Sequence, residues 1–143
     1  MLQILTKQNN NMSHLLEINN LDVRFDTDEG RITAIENVSL SLDQGKVLGI
    51  VGESGSGKSV TSMSINRLIP NPPGEIVNGE ILYNGEDLLQ LSYDEMSRIR
   101  GKDISMIFQE PMTSLNPVLR VRSQMNEILV KHEGVTEEEA TQK

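Results

Sequence analysis

Apolar residues first fall into step at Leu16 and Ile18, slip by one position at Asn19-Asn20, and resume at Leu21, Val23 and Phe25. Alternation with period two marks a half-buried strand, and the slip marks a bulge or bend within it. A polar stretch from Asp26 to Arg31 reads as a turn. A second alternating run, Val38, Leu40 and Leu42, closes at Asp43-Gln44-Gly45. Two such runs joined by a polar turn predict an antiparallel pair. The next run, Val47-Leu48-Gly49-Ile50-Val51, is apolar on both faces, which suits a central strand of a parallel sheet covered by helices. From Lys58 to Ile69 the pattern reads as a helix, stopped by the prolines of Pro70-Asn71-Pro72-Pro73-Gly74. A short strand around Glu80-Ile81-Leu82-Tyr83 precedes the turn Asn84-Gly85. Ser92-Tyr93-Asp94-Glu95 and Thr136-Glu137-Glu138-Glu139 have the spacing of capping boxes, so each announces a helix. The first of these helices ends by Gly101, a left-handed cap. Ile104 to Phe108 predicts another strand. Val121, Met125, Ile128 and Leu129 predict one apolar helix face between Val118 and His132.

Between the apolar run ending at Val51 and the helix lies Gly52-Glu53-Ser54-Gly55-Ser56-Gly57-Lys58-Ser59. This is G-x-x-x-x-G-K-[ST], the phosphate-binding P-loop, in its strand–loop–helix setting. Glycines let the backbone turn through positive φ and approach a ligand closely. The bent loop then directs backbone N–H groups inward as a nest for anionic oxygens, and the helix start adds donors and a positive dipole end. In such a loop Lys58 brings a point charge to the β- and γ-phosphates and the Ser59 hydroxyl ligates Mg²⁺. The bland alternative is a flexible Gly/Ser turn. Average residue usage puts a chance match in a chain of this length at about 0.5%, before the flanking strand and helix are counted, so the nucleotide reading is preferred.

Composition narrows the rest. The chain has 143 residues, one domain's worth. Lys+Arg 13 against Asp+Glu 21 gives a net charge of -8, which argues against nucleic acid as a partner. Without cysteine there are no disulfides and no thiolate metal sites. No apolar run is long enough to span a membrane, and the first residues lack the apolar core and cleavage site of a signal peptide. Residues 1–13 read as a disordered polar leader, with Met12 an alternative start. His14, at the end of that leader, and His132, near the end of a solvated helix, are expected to have no chemical partners. Met63, Met106 and Met125 are expected to fill gaps in the core.

Gln109 follows an apolar run far downstream of Lys58. That separation, with antiparallel strands ahead of the P-loop, resembles the ATP-binding cassette (ABC) family and its Q-loop. LGIVGESGSGKSVTSMSI, LSYDEMSRIRG and ISMIFQEPMTSLNPV look like the ATPase subunits of oligopeptide and dipeptide importers, and the resemblance covers residues 14–132. It implies an α/β fold: a P-loop NTPase of the ABC ATPase type, with an N-terminal antiparallel β-subdomain and the start of a helical subdomain. The core and β-subdomain would run to about 109, and the helical subdomain would begin at about 110.

The resemblance also implies residue roles. Gly52, Glu53, Ser54, Gly55, Ser56, Gly57, Lys58, Ser59 and Val60 would form the ATP-binding Walker A segment. Gln109 would contact Mg²⁺ or the attacking water, and is counted with Lys58 as catalytic and with Ser59 as a metal ligand. An aromatic ahead of the P-loop stacks on adenine in this family. Phe25 is the candidate, against the plainer reading of core packing at an alternating strand position. Glu110 to Pro117 resembles the surface that docks on membrane subunits. At position 122 the resemblance leads one to expect glycine, and Arg122 departs from it.

The implied protein is an ATPase subunit energising an importer. Its partners would be transmembrane permease subunits, a second ABC ATPase subunit and, indirectly, a solute-binding protein. It would sit peripherally at the cytoplasmic face of the plasma membrane. The family's signature motif, Walker B strand, D-loop and switch histidine would all lie beyond Lys143, so the chain reads as a fragment truncated before Walker B and inactive in ATP turnover by itself. Losing the Walker B strand would leave the strand at Val47–Val51 with an apolar edge exposed. The alternatives are a nucleotide-binding regulatory or scaffold module without turnover, and a non-functional gene fragment.

Overall fold

A computed structural model of the chain describes residues 3–5, 14–109 and 115–143. The strands are β1 (Gln3–Leu5), β2 (Leu16–Thr27), β3 (Gly30–Leu42), β4 (Gly49–Val51), β5 (Gly74–Tyr83) and β6 (Glu86–Asp87). The helices are α1 (Lys58–Ile65), α2 (Tyr93–Ile99), α3 (Val121–Glu133) and α4 (Glu137–Gln142). The chain divides into two compact units, residues 1–91 and 92–143.

In the first unit the two alternating runs form the expected antiparallel pair, from Leu16 opposite Leu42 to Thr27 opposite Gly30. The polar turn tightens to Asp28-Glu29, held by the Thr27 hydroxyl donating to the Gly30 carbonyl at 2.6 Å. β5 pairs with the other edge of β2, giving an all-antiparallel sheet in the order β3-β2-β5-β6. Its core is Ile18, Leu21, Val23, Ile35, Val38, Leu40, Ile81 and Leu88. The slip at Asn19-Asn20 is a real irregularity, since the register shifts there against both neighbouring strands and Asn20 takes φ 49. The bulge presses on Gly79 of β5, where a Cβ would stand 2.7 Å from the carbonyl oxygens of Asn19 and Asn20. Only glycine fits there, because the obstructing atoms are backbone and φ is +98°.

Several expectations are corrected. The run at Val47 to Val51 yields only the three-residue β4, and among the described residues it pairs antiparallel with β1 instead of sitting in a parallel sheet. Of its apolar side chains Val47 and Val51 are 98% and 59% exposed, while Leu48 and Ile50 are half-buried. β1 itself lies within the stretch read as a disordered leader. α1 ends at Ile65, ahead of the prolines. Arg67 turns into the left-handed region at φ 49, and its guanidinium is drawn to the carbonyls of Leu88 and Leu91 at 3.3 and 2.5 Å. The helix is closed locally, by the left-handed turn at Arg67, with the Arg67 N–H donating to the Ser64 carbonyl and the Leu68 N–H to the Met63 carbonyl, both at 2.9 Å. His14 does have a partner: its Nδ1 lies 2.6 Å from Asp43 Oδ1, tying the start of β2 to the segment after β3.

In the second unit both capping boxes form. The Ser92 hydroxyl accepts from the Glu95 N–H at 3.3 Å while the Glu95 carboxylate accepts from the Ser92 N–H at 2.8 Å. Thr136 and Glu139 repeat the arrangement at 3.3 and 2.8 Å. Gly101 has the expected positive φ, following the cap residue Arg100. Ile104 to Phe108 is not a strand. Its one ladder contact is an isolated bridge between Arg100 and Ile104, and Ile107 is 94% exposed. A strand needs a hydrogen-bonded neighbour, and this run has no further one among the described residues. Val121, Met125 and Ile128 of α3 are exposed, and the residue buried on that helix is Asn126. Its amide donates to Thr141 Oγ1 at 2.7 Å and to the Glu137 carbonyl at 3.3 Å, so a polar clasp joins α3 to α4. Of the methionines, Met96 is fully buried, while Met63 and Met106 are half-buried and Met125 is exposed.

Candidate functional site

The loop from Gly52 to Gly57 leaves β4 and delivers the chain into α1 at Lys58. A turn within it is closed by the Ser56 N–H donating to the Glu53 carbonyl at 3.2 Å. Gly55 and Gly57 take φ of 79° and 91°. At Gly57 the requirement is double, because a Cβ would also meet Ile35 Cγ2 at 2.2 Å and the Ala34 carbonyl oxygen at 3.0 Å. The last glycine of the loop is thus wedged against β3, and that contact sets where the helix begins.

The helix start is built to receive negative charge. Gly57 is its N-cap and supplies no side-chain hydrogen bond, and the first turn contains no acidic residue. The first intrahelical bond is Thr61 N–H to the Gly57 carbonyl at 2.8 Å. The amides of Lys58, Ser59 and Val60 precede it, so they are the orphan donors at the dipole's positive end. Lys58 arches back over the loop. Its ammonium donates to the carbonyls of Gly52 and Glu53 at 2.7 and 2.6 Å and lies 3.3 Å from Ser56 Oγ. Among the described residues no carboxylate pairs with it. A cation held only by carbonyls and a hydroxyl keeps its charge for an anion. Gly57, the orphan amides and Lys58 together fit a phosphate chain of a nucleotide. Ser59 is exposed beside them, and Val60 is half-buried.

The other candidates are placed less directly. Phe25 is half-buried in β2, opposite Gly74 of β5, and a Cβ on Gly74 would stand 2.7 Å from the ring's Cε1. The ring therefore packs over Gly74. Gln109 is exposed and belongs to the second unit, and Glu110 to Ser114 fall outside the described residues. No group of three acidic or histidine side chains able to hold a metal occurs among the described residues. A cleft of about 550 Å³, lined by Arg67, Asn71, Glu75, Asn78 and Gln90, opens in the first unit, but none of its lining residues is a P-loop residue.

Sequence reasoning missed the loop's supports. Ala34 and Ile35 carry Gly57 from below, and nothing in an alternating strand marks two residues as a bed for a distant glycine. Thr61, fully buried, donates its hydroxyl to the Gly57 carbonyl at 2.9 Å. Its place four residues after the last loop glycine was the available signal.

A strand, a glycine-rich loop and an uncapped helix with a lysine over the loop define a P-loop phosphate-binding protein. Comparison with known proteins takes this further: residues 35–143 match the family described as ABC transporter. The chain belongs to that family. It is 54% identical over 129 residues to the oligopeptide transport ATP-binding protein OppD of Bacillus subtilis (strain 168), covering 90% of this chain and 36% of that protein. With the dipeptide transport ATP-binding protein DppD of the same organism it shares 47% identity over 129 residues, 90% of this chain and 38% of the relative. Among solved structures it is similar to the dimeric structure of MJ0796, a bacterial ABC transporter cassette, with TM-score 0.71, 26% identity and coverage of 89% and 53%. It is also similar to a post-hydrolysis state of MJ0796 bound to ADP and Pi, with TM-score 0.72 and 27% identity. The fold is that of the N-terminal part of an ABC ATPase cassette. The chain spans well under half the length of the curated relatives it matches. No described helix is long and apolar enough to cross a membrane.

Proposed function

We propose that this chain is the nucleotide-holding N-terminal part of an ATP-binding subunit that energises an importer of oligopeptides, dipeptides or related small solutes. The observation that carries the reading is the Lys58 ammonium arched over a loop whose last glycine is wedged at φ 91° into the start of an uncapped helix. The names of the relatives direct it toward peptides.

Gly52 to Gly57 cradle the β- and γ-phosphates with backbone N–H groups, and the orphan amides of Lys58, Ser59 and Val60 add the helix dipole. Lys58 moves its ammonium from the Gly52 and Glu53 carbonyls onto the phosphate oxygens, exchanging neutral acceptors for charged ones. Ser59 and Gln109 would hold Mg²⁺, whose charge would offset that accumulating on the phosphates. Gln109 also orients the attacking water, and Phe25 offers its ring to adenine. Hydrolysis takes place between two such subunits and is passed to transmembrane permease subunits at the cytoplasmic face of the membrane, with a solute-binding protein delivering the cargo.

The experiment is Lys58→Ala in the complete transport complex. Peptide uptake and transport-coupled ATP turnover are expected to fall by at least about a hundredfold, the scale of losing a main electrostatic contact to the transferring phosphoryl group. Uptake and turnover at the unsubstituted level would overturn the assignment.

A further inference from the structure

The loop's last glycine is held from two sides, and neither hold belongs to the loop motif itself. From below, Ile35 and Ala34 of β3 block the Cβ direction of Gly57. From the helix, Thr61 makes two bonds to the Gly57 carbonyl, its N–H at 2.8 Å and its hydroxyl at 2.9 Å. The Gly57 carbonyl carbon is bonded to the Lys58 nitrogen, so anything that fixes that carbonyl fixes the plane of the first orphan amide.

We infer that Thr61 is a positioning residue, whose hydroxyl pins the Gly57 peptide so that the Lys58 amide and side chain face the phosphate. This rests on the phosphate-binding reading of the loop. Serine and threonine inside helices often bond back to the carbonyl four residues earlier, and Ser62 and Ser64 do so here, to Lys58 and Val60 at 3.2 and 2.8 Å. Thr61 differs from Ser62 in being fully buried, so water cannot replace its acceptor. It differs from Ser64 in its acceptor, because the carbonyl it holds belongs to the loop glycine and not to the helix interior. A hydroxyl buried without a partner is costly, so the Gly57 carbonyl and the Thr61 hydroxyl hold each other in place.

The role separates from plain packing by the opposite demands of two substitutions. Thr61→Val keeps the side chain's volume and removes the hydroxyl; Thr61→Ser keeps the hydroxyl and removes a buried methyl. The test is carried out on the full chain, with a fluorescent ATP analogue and Mg²⁺ for affinity and with thermal unfolding without nucleotide for stability. Thr61→Val is expected to weaken binding by about five- to tenfold, the range of one hydrogen bond, with only a small fall in the unfolding midpoint. Thr61→Ser is expected to bind as the unsubstituted chain does while unfolding at lower temperature. If affinity follows the unfolding midpoint in both variants, or Thr61→Val binds normally, Thr61 is a packing residue and the inference fails. If the unsubstituted chain itself does not bind, the failure belongs to the phosphate-binding reading.

Discussion

Gly57 and Gly79 show how much of this fold turns on single backbone positions. Each has a positive φ, and each abuts atoms that leave no room for a Cβ. At Gly79 the neighbours are backbone atoms of the β2 bulge, which cannot move without breaking the ladder. Gly79→Ala is therefore expected to destabilise the chain by about 2–4 kcal/mol, combining left-handed strain with overpacking, as measured by urea unfolding. An effect under about 0.5 kcal/mol, the size of an ordinary surface substitution, would show that the bulge does not press on Gly79. At Gly57 the first obstruction is Ile35 Cγ2, a methyl carried on the branched Cβ of a buried residue and so not free to swing aside. Gly57→Ala is expected to cost about 1–3 kcal/mol and to lower nucleotide affinity more than Gly79→Ala does, because it displaces the helix start itself. The glycine-rich loop was legible in the sequence because its chemistry is local and its residue types have few other uses. The bed of Ala34 and Ile35 was not legible, since a contact between a strand and a loop distant in sequence leaves no periodic trace.

At the scale of elements, what the sequence announced correctly was local. The hairpin, the slip at Asn19-Asn20 and both capping boxes each depend on residues within a few positions of one another. The errors arose where tertiary partners decide. Ile104 to Phe108 has strand composition but only an isolated bridge. On α3 the apolar stripe is exposed and Asn126 is buried, because the α3–α4 joint is polar. The capping boxes carry a pH dependence. The bonds from the Ser92 hydroxyl and N–H hold the Glu95 carboxyl below the ordinary glutamate value, and those from the Thr136 N–H and hydroxyl do the same for Glu139. A carboxyl whose folded pKa is lowered stabilises the fold above its unfolded pKa, about 4.3, and loses that contribution as pH falls through the folded value. Helical circular dichroism is thus expected to hold down to about pH 5 and to decline below about pH 4. In Ser92→Ala and Thr136→Ala the decline is expected to be smaller, with a stability loss at neutral pH of about 1 kcal/mol each. An unchanged acid profile in the doubly substituted chain would contradict the assignment.

Across the whole molecule, the two units differ in how they are held. β2 is hydrogen-bonded on both sides by long antiparallel neighbours and carries Ile18, Leu21 and Val23 fully buried, whereas the second unit joins its helices by a polar clasp and leaves apolar side chains such as Met125 and Ile128 exposed. Native-state hydrogen exchange is expected to show its slowest amides in β2 and markedly faster exchange in α3 and α4. Equal protection across both units would contradict that division of stability. The family-level reading was legible from three sequence stretches, because the P-loop, the capping-box segment and the glutamine-bearing run are all compact motifs. The roles of Gln109 and Phe25 were not settled in the same way: a γ-phosphate sensor and an adenine platform are defined by their distance from a bound nucleotide, which no local pattern encodes. The most direct measurement of the central claim is thermal unfolding of the chain with and without Mg-ATP, beside Lys58→Ala. At a nucleotide concentration 100 times Kd the stabilisation is about 2.7 kcal/mol, which raises the midpoint by about 10 °C, and Lys58→Ala abolishes the rise. A midpoint indifferent to Mg-ATP, or a rise that survives Lys58→Ala, would contradict a phosphate site built on this loop.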